Sequence, residues 1–309
     1  MAETMATRQA YGKTLIELGE KYPQLVVMDA DLSKSTMTAE FGKTYPDRFF
    51  NMGIAEQNLY GAAAGLALSG KIVCASTFAM FATGRAFEII RNSIGYTRAN
   101  VKICATHAGI TVGEDGASHQ TFEDIALMRT IPGMTVINPS DGVSAKKLLE
   151  QAVAMEGPCY VRLGRAKVPV FYEDSDQLTL GRGNLVRDGK DVTIVATGIM
   201  VSEAMAAAEK LKEDGVDARI IDIHTIKPID EEIIVKAASE TKAIITAEEH
   251  SVIGGLGAAV AEVVVKKCPV KMAMVGIQDR FGQSGKPQAL MEEYHITAAD
   301  IAKAVKETL

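Results

Sequence analysis

The sequence predicts an α/β protein made of two domains. Short apolar runs alternate with longer segments of helical spacing along the whole chain, which is the pattern of buried strands joined by helices. The 309 residues are enough for two domains of ordinary size. Between 168 and 190 the alternation gives way to proline, glycine and acidic residues, which indicates a linker. We therefore expect domains at 1–170 and 191–309, joined by a linker at 171–190.

The composition is that of a globular protein, with 47% hydrophobic and 23% charged residues. A net charge of -6 gives no electrostatic footprint for nucleic acid or for an anionic membrane. The N-terminus lacks the apolar core of a signal peptide, and no apolar run reaches the ~18 residues of a membrane span. The four cysteines are scattered and match neither a disulfide framework nor a metal site, so we expect a reducing compartment and a cytoplasmic protein.

The elements of the first domain follow from apolar periodicity. Strands are predicted at 24–28, 71–75, 101–105, 134–138 and 159–163. Helices are predicted at 6–21, from Glu56 to 68, at 76–91, at 122–129 and at 143–155. The helix after Glu56 is rich in glycine and alanine, which allows close packing against another helix or another subunit.

The second domain repeats the alternation. Strands are predicted at 192–197, 218–223, 243–247 and 270–276, and helices at 201–212, 230–239 and 253–267, with further helices to the end of the chain. Three glycines at 254, 255 and 257 open one helix. They do not complete a dinucleotide-binding fingerprint, so we interpret them as sites of close packing.

The segment 107–120 (HAGITVGEDGASHQ) is the strongest candidate site. It follows a buried strand and precedes a helix, and ligands of open α/β sheets bind at the carboxyl ends of strands. It carries His107, Glu114, Asp115 and His119, which are groups that move protons near neutral pH. The alternative is an ordinary polar loop with an Asp-Gly turn. A metal site is not predicted, because the spacing matches no familiar zinc pattern.

Other polar positions allow two interpretations each. The loop 29–36 contains Ser35 and is typical of a turn with a helix cap, or of a site wall. Glu56 either complements a helix dipole or is a buried carboxylate that holds one proton. Phe78 and Phe81 share a helix face, as core residues or as a flat surface for a ring. Arg165 with Lys167 forms either a solvated turn or an anion clamp.

Taken together, these motifs resemble the C-terminal half of transketolase. The resemblance is carried by GIAEQN at 53–58, STFAxF at 76–81, HAGIxVGEDGxxHQ at 107–120, and IP at 131–132. It continues through IKPID at 226–230, EEH at 248–250 and SGKP at 284–287. It implies a thiamine-diphosphate-binding (pyrimidine) fold followed by a transketolase C-terminal α/β domain. The family's Gly-Asp-Gly motif for magnesium and diphosphate does not occur, so the chain resembles the C-terminal subunit of a split transketolase.

The resemblance also implies roles for individual residues. Glu56 matches the glutamate that protonates the aminopyrimidine of thiamine diphosphate, and Phe78 and Phe81 match residues packing on that ring, with Phe81 favoured for direct stacking. The expected substrate contacts and proton-transfer groups are His107, Asp115 and His119. Ser35 and Arg165 match residues that hold the sugar phosphate. Asp31 lies in a loop expected to meet the cofactor across a dimer interface, and Arg85 is left outside the set.

The implied activity is transfer of a two-carbon ketol unit between sugar phosphates, with the pentose phosphate pathway as its expected setting. The resemblance implies an N-terminal partner subunit that holds the diphosphate and Mg²⁺ or Ca²⁺, in an assembly with two copies of each chain. A 2-oxo acid dehydrogenase β-type subunit is the alternative, and a deoxyxylulose-phosphate synthase relative is a weaker one. A subunit that has lost activity and serves regulation also stays open.

Overall fold

The computed structural model describes residues 3–309 and contains two α/β units, as predicted. The helices and strands of the first unit are β1 (Thr4–Met5), α1 (Thr7–Lys21), β2 (Leu25–Asp29), α2 (Ser33–Thr36), α3 (Ala39–Thr44), β3 (Phe49–Asn51), α4 (Glu56–Leu68), β4 (Ile72–Ser76), α5 (Phe87–Ile89), β5 (Val101–Ala105), α6 (Asp124–Thr130), β6 (Thr135–Ile137), α7 (Gly142–Ala154), β7 (Cys159–Arg162) and β8 (Val168–Pro169).

The second half of the chain contains the strands and helices of the second unit, together with β12, which pairs with the first sheet. They are β9 (Asn184–Arg187), β10 (Val192–Ala196), α8 (Met200–Glu213), β11 (Ala218–Asp222), β12 (Thr225–Lys227), α9 (Glu231–Glu240), β13 (Ala243–Ser251), α10 (Leu256–Lys267), β14 (Lys271–Ile277), α11 (Pro287–Glu293) and α12 (Ala298–Thr308). Strand β9 lies inside the segment that the sequence analysis assigns to the linker.

The first sheet has the strand order β12-β6-β7-β5-β4-β2-β3, and the second has the order β14-β13-β10-β11-β9. Neighbouring strands are parallel except at β12 and β9, the edge strands that pair antiparallel with β6 and β11. Strands β2, β4 and β5 are buried along their whole length, as is usual where helices cover both faces of a parallel sheet. This arrangement brings the carboxyl ends of β4 and β5 to one edge of the first sheet.

One expectation for the first sheet is wrong. The strand at 159–163 was expected to be the last of its unit, yet β12 adds a further strand from the second half of the chain. Its short run pairs through Thr225 with Ile137 and through Lys227 with Val136, with an irregular register between. The pairing partner of so short a strand is set by tertiary contacts and cannot be found from local periodicity.

The predicted helix at 76–91 is also not regular. Its path contains π-helical turns at Phe81–Arg85 and Ile90–Tyr96, with only three residues of α-helix between them. A π-turn accommodates an extra residue and rotates the side chains that follow it, and such turns often lie at functional sites. Phe78 and Phe81 still lie side by side, as the sequence predicts.

The polar loop at 29–36 is not held by a capping side chain. Neither α2 nor α3 has a side-chain hydrogen bond at its N-cap. The buried Asp29 carboxylate orders the segment instead, because it accepts hydrogen bonds from the Leu32 N–H at 2.6 Å and from the hydroxyls of Thr36 and Thr38. The cap interpretation is therefore wrong for this loop.

The close-packing interpretation of the glycines at 254–257 is confirmed. A Cβ on Gly255 would lie 2.0 Å from the Glu248 carboxylate, and one on Gly257 would lie 2.8 Å from the Met274 sulfur. Cys74, Cys104 and Cys159 lie in buried strands, and all four cysteines are free thiols. No helix within residues 3–309 is long and apolar enough to cross a membrane.

Candidate active site

A cluster of four rings lies at the carboxyl ends of β4 and β5. The Phe78 ring stacks on the His107 imidazole with centroids 3.9 Å apart. Phe78 and Phe81 are nearly parallel, at 6.1 Å and 14°, and the His119 ring meets Phe81 edge-on at 5.3 Å. The structure thus brings together four residues that the sequence analysis singled out from two separate segments.

Glu56 is buried next to these rings at the start of α4. Its side chain is only 2% exposed, and Oε2 accepts a hydrogen bond from Arg85 Nη1 at 2.7 Å. We find no hydrogen bond to Oε1 from any residue between 3 and 309, so one carboxylate oxygen is left to accept from a ligand. Burial of a carboxylate costs free energy that a surface position at a helix terminus would avoid, which favours the functional interpretation of Glu56.

Arg85, which the sequence analysis left out, belongs to this site. Its guanidinium lies 4.7 Å from the centroid of the Phe81 ring while it donates to Glu56. The side chain is half exposed, at 49%. The π-helical turn at 81–85 directs Arg85 to this position, and spacing counted on a regular helix could not predict that.

A basic group flanks the rings. Arg8, in the first turn of α1, donates from Nη1 to the Ser35 carbonyl at 2.6 Å, and its Nε is buried with no hydrogen-bond partner in the described part of the chain. Burial and the charge of Arg165 lower the pKa of Arg8. Arg165 itself donates to the Val112 carbonyl and to Glu114 Oε2, the latter at 3.2 Å. The sequence analysis missed Arg8, whose only signal was a cation at the start of a predicted helix.

Burial, with a smaller contribution from the two arginines, lowers the pKa of His107. The imidazole is buried, has a positive φ of 58°, and exchanges a hydrogen bond with the Thr106 hydroxyl through Nδ1 at 2.9 Å. Burial lowers the pKa of His107 to about 3, assisted by the charges of Arg8, Arg165 and His119. A neutral imidazole near pH 7 can both donate and accept a hydrogen bond, which suits contact with a sugar hydroxyl.

Two predicted residues lie more openly. Asp115 is exposed, and its carboxylate bonds no other side chain in the range 3–309. Asp31 is exposed with a φ of 63°, and it exchanges hydrogen bonds with Asn51 through its own N–H and carboxylate, at 3.0 and 3.2 Å. Neither residue contacts the ring cluster within this chain. Residues 3–309 also contain no group of three or more His, Cys, Asp or Glu side chains placed to hold a metal ion.

The fold and the site together define the class of the protein: an α/β chain with a buried carboxylate and an aromatic cluster at the carboxyl ends of its strands. Comparison with known families identifies a family of this class. Residues 3–170 match the family "Transketolase, pyrimidine binding domain", and residues 181–301 match "Transketolase, C-terminal domain". The chain belongs to the transketolase family and corresponds to its C-terminal section.

Individual relatives support this assignment. The chain is 54% identical to the "putative transketolase C-terminal section" of Methanocaldococcus jannaschii over 98% of this chain and 96% of that protein. It is 41% identical to a 6-deoxy-6-sulfo-D-fructose transketolase subunit of a Clostridium species, over 97% of this chain and 93% of the other. Human transketolase is 37% identical over 99% of this chain, which covers only 49% of the human protein.

Among solved structures, the chain is similar to one described as a split-gene transketolase in an inactive β4 tetramer. The TM-score is 0.93 and the identity 55%, with 99% of this chain and 98% of that chain covered.

We predict that His107 stays neutral between about pH 5 and pH 8, because its pKa is lowered well below the usual value. The measurement is the pH dependence of the imidazole ¹⁵N shifts, with the His107 signal assigned from its loss in His107→Gln. Arg165→Met should move the His107 titration to higher pH by removing one neighbouring cation. A wild-type midpoint near ~6.5 would contradict the prediction.

Proposed function

We propose that this chain is the C-terminal subunit of a split transketolase. Together with a separate N-terminal subunit it would transfer a two-carbon ketol unit from a ketose phosphate to an aldose phosphate. The observation that carries the proposal is the buried Glu56 carboxylate, joined through Arg85 to the stacked rings of Phe78, Phe81 and His107, with His119 edge-on to Phe81. We further propose that residues 1–170 and 191–309 form its two domains, connected by 171–190.

The residues present fit the aminopyrimidine end of thiamine diphosphate. Glu56 is buried, and one of its carboxylate oxygens accepts no hydrogen bond from residues 3–309. That oxygen can accept a hydrogen bond from a protonated ring nitrogen. The Phe81 ring is partly exposed, with the half-exposed Arg85 over it and His119 edge-on to it, whereas Phe78 lies under His107, so Phe81 is the better stacking surface. When bound, thiamine diphosphate would supply an electron sink for the carbanion that remains after ketose cleavage.

The other side chains would bind and orient the sugar. Arg8, Arg165 and the Ser35 segment form a cationic group with a buried, unpartnered N–H, which suits a phosphate. His107, as a neutral imidazole, would hold a substrate hydroxyl rather than store a proton. His119 meets the Phe81 ring edge-on, and Asp115 is open to solvent, so both can reach a substrate that lies over the rings.

The diphosphate end needs a partner. Two phosphates and a divalent ion require oxygen ligands in a fixed geometry, and residues 3–309 offer no such cluster. The chain covers half of human transketolase and nearly all of the archaeal C-terminal section. We infer that the missing half, with Mg²⁺ or Ca²⁺, comes from an N-terminal subunit in an assembly with two copies of each chain. The exposed Gly61 and Gly65 of α4, which leave open space beside them, offer a surface for close subunit contact.

The comparisons favour this reading over a 2-oxo acid dehydrogenase subunit, because related subunits carry transketolase names. These relatives differ in their named substrates, a sulfo-sugar in one case and apulose 4-phosphate in another. We propose a sugar phosphate for this chain because of the cationic group around Arg8 and Arg165. The expected setting is pentose phosphate metabolism in the cytoplasm.

Reconstitution tests the proposal. We predict that the purified chain alone, with thiamine diphosphate and Mg²⁺ in excess, shows no ketol transfer. The solved relative described as an inactive β4 tetramer supports this expectation. Addition of the N-terminal subunit from the same source should restore transfer from a ketose phosphate to an aldose phosphate, measured by a coupled assay. Full activity of the lone chain would contradict the split arrangement, and no activity with the partner would favour a regulatory subunit.

Glu56→Gln tests the proton-holding role. We predict that the reconstituted variant loses roughly 10²–10⁴-fold in turnover, because the amide cannot hold a proton at the ring nitrogen. The melting temperature should change little, since Gln has the same shape as Glu and keeps an oxygen for Arg85. Glu88→Gln, a change at an exposed glutamate nearby, serves as the control and should leave turnover unchanged. Wild-type turnover in Glu56→Gln would exclude the role.

Arg165→Ala tests the phosphate contact. A charge-assisted hydrogen bond is typically worth ~1.5–3 kcal/mol, and because Arg165 is about one-third exposed we expect the low end, a rise in KM of roughly tenfold for phosphorylated donors. The KM for hydroxypyruvate, which has no phosphate, should change much less. Lys167→Ala, at the exposed second cation of the same turn, is the matched control. An equal loss on both donors would show that Arg165 does not bind phosphate.

A further inference from the structure

Glu249, in the second unit, contacts the centre of the loop 107–120. It lies in β13 and is 3% exposed, and its Oε1 accepts the backbone N–H of Thr111 at 2.7 Å. A buried carboxylate that accepts a backbone N–H makes a strong, charge-assisted bond. A side chain of the second sheet therefore fixes the backbone of the loop that carries the candidate substrate groups of the first sheet.

The loop backbone is shaped to receive this carboxylate. Gly109 has a φ of 84°, and a Cβ built there would lie 2.2 Å from the Glu249 carboxyl carbon. Only glycine permits both the positive φ and this close approach. The missing side chain at Gly109 thus allows the Glu249 carboxylate to approach the loop. The position of the glycine in the sequence did not reveal this contact.

The charge of Glu249 is balanced inside the protein. Arg162 Nη1 lies 4.0 Å from Glu249 Oε2, and Arg162 Nη2 donates to the Glu249 carbonyl at 2.9 Å. Arg162 is held in turn by Asp124, whose Oδ2 accepts from Nε at 2.7 Å. These groups are almost fully buried, so Glu249 cannot rotate away without leaving Arg162 partly unpaired.

Two further bonds join the second unit to the far end of the loop. The exposed Ser284 donates from its hydroxyl to the Glu114 carbonyl at 2.6 Å, and Gln120 Nε2 donates to the Gln283 carbonyl at 3.0 Å. Between these bonds and Thr111 lie the Val112 carbonyl and the Glu114 carboxylate, which hold Arg165. The contacts thus run from Glu249 through the loop to Arg165, the side chain proposed to bind the phosphate.

We propose that Glu249 is a positioning residue for substrate binding: the second domain fixes the loop 107–120 through Glu249 and Ser284, and the loop in turn fixes Arg165. The role in binding a phosphorylated substrate rests on the function proposed above. The mechanical part, which is the fixing of the loop by Glu249 and Ser284, does not rest on that function, because it follows from contacts described within this chain. Glu249 touches neither the rings nor the basic group and acts only through the loop.

Hydrogen–deuterium exchange of the purified chain tests the mechanical part without any activity. In Glu249→Ala we expect the exchange rate of the amides at 109–113 to rise roughly three- to tenfold, the effect of losing one hydrogen bond. Glu249→Gln keeps an acceptor oxygen for Thr111 and should largely restore slow exchange. Ser284→Ala, at an exposed position where folding is not at risk, should accelerate exchange near 114–120 and decides the question if Glu249→Ala fails to fold.

Glu248→Gln is the matched control. Glu248 is the preceding residue, equally buried, but its carboxylate accepts from the Leu256 and Gly257 N–H groups of α10 and not from the loop. This change should affect exchange at the start of α10 and leave 107–120 unchanged. Unchanged loop exchange in Ser284→Ala and in any folded Glu249→Ala would overturn the proposal. Equal acceleration of the loop by Glu248→Gln would also overturn it.

The reconstituted enzyme tests the role in binding. Glu249→Ala and Ser284→Ala should raise KM for a ketose phosphate several-fold more than KM for hydroxypyruvate, with a smaller effect on kcat. A purely structural defect would lower the amount of active enzyme and leave both KM values unchanged, and that outcome would overturn the binding role. If the wild-type pair transfers no ketol unit, the proposed function fails, while the exchange experiment still decides whether the second domain fixes the loop.

Discussion

The buried ion pair between Arg162 and Asp124, both in the first unit, orients the Arg162 guanidinium, which also donates a hydrogen bond to the Glu249 carbonyl of the second unit. Both side chains are almost fully excluded from water, and the Tyr160 hydroxyl donates a further hydrogen bond to Asp124 at 2.6 Å. Placing two charges in a protein interior is costly, and removal of one partner typically costs ~3–5 kcal/mol because the other is left unpaired. The pair is therefore a strong geometric constraint: α6, the end of β7 and the Glu249 backbone must meet at one point.

The same constraint explains the electrostatics of the site. The backbone that follows Arg162 turns towards α1, where the Gly164 N–H donates to the Thr7 hydroxyl at 2.8 Å, and this brings Arg165 near Arg8. Burial of the imidazole, assisted by these two cations, makes the imidazolium form unfavourable and lowers the pKa of His107 to about 3. If a phosphate binds between the arginines, as proposed, it would neutralise them, while the histidine keeps its capacity to accept and donate a hydrogen bond. One arrangement would then provide both the cations for a phosphate and a neutral imidazole for a hydroxyl group.

The sequence predicted the buried parallel strands well because they depend on local signals, and it singled out the four ring residues separately without predicting that they form one cluster. Buried parallel strands are continuous apolar runs, and for this reason the strand at 101–105 was predicted at its observed bounds. The carboxyl ends of neighbouring parallel strands meet at one sheet edge, so Phe78 and His107 had to be close. Contacts that depend on long-range geometry were missed. Arg85 reaches Glu56 only because of a π-helical turn, and β12 pairs with β6 across almost 90 residues of chain.

Glu249 shows why the remaining part of the site lay beyond sequence reasoning. An acidic residue at the end of a strand has no periodicity that assigns it to a loop 138 positions away. The loop is held at Thr111, Glu114 and Gln120 by hydrogen bonds to Glu249, Ser284 and Gln283 of the second unit and to Gly113 of the loop itself. Ordering a loop upon association would cost conformational free energy and weaken binding. Because residues of the second unit already form hydrogen bonds to this loop, less conformational free energy remains to be lost when a ligand binds there.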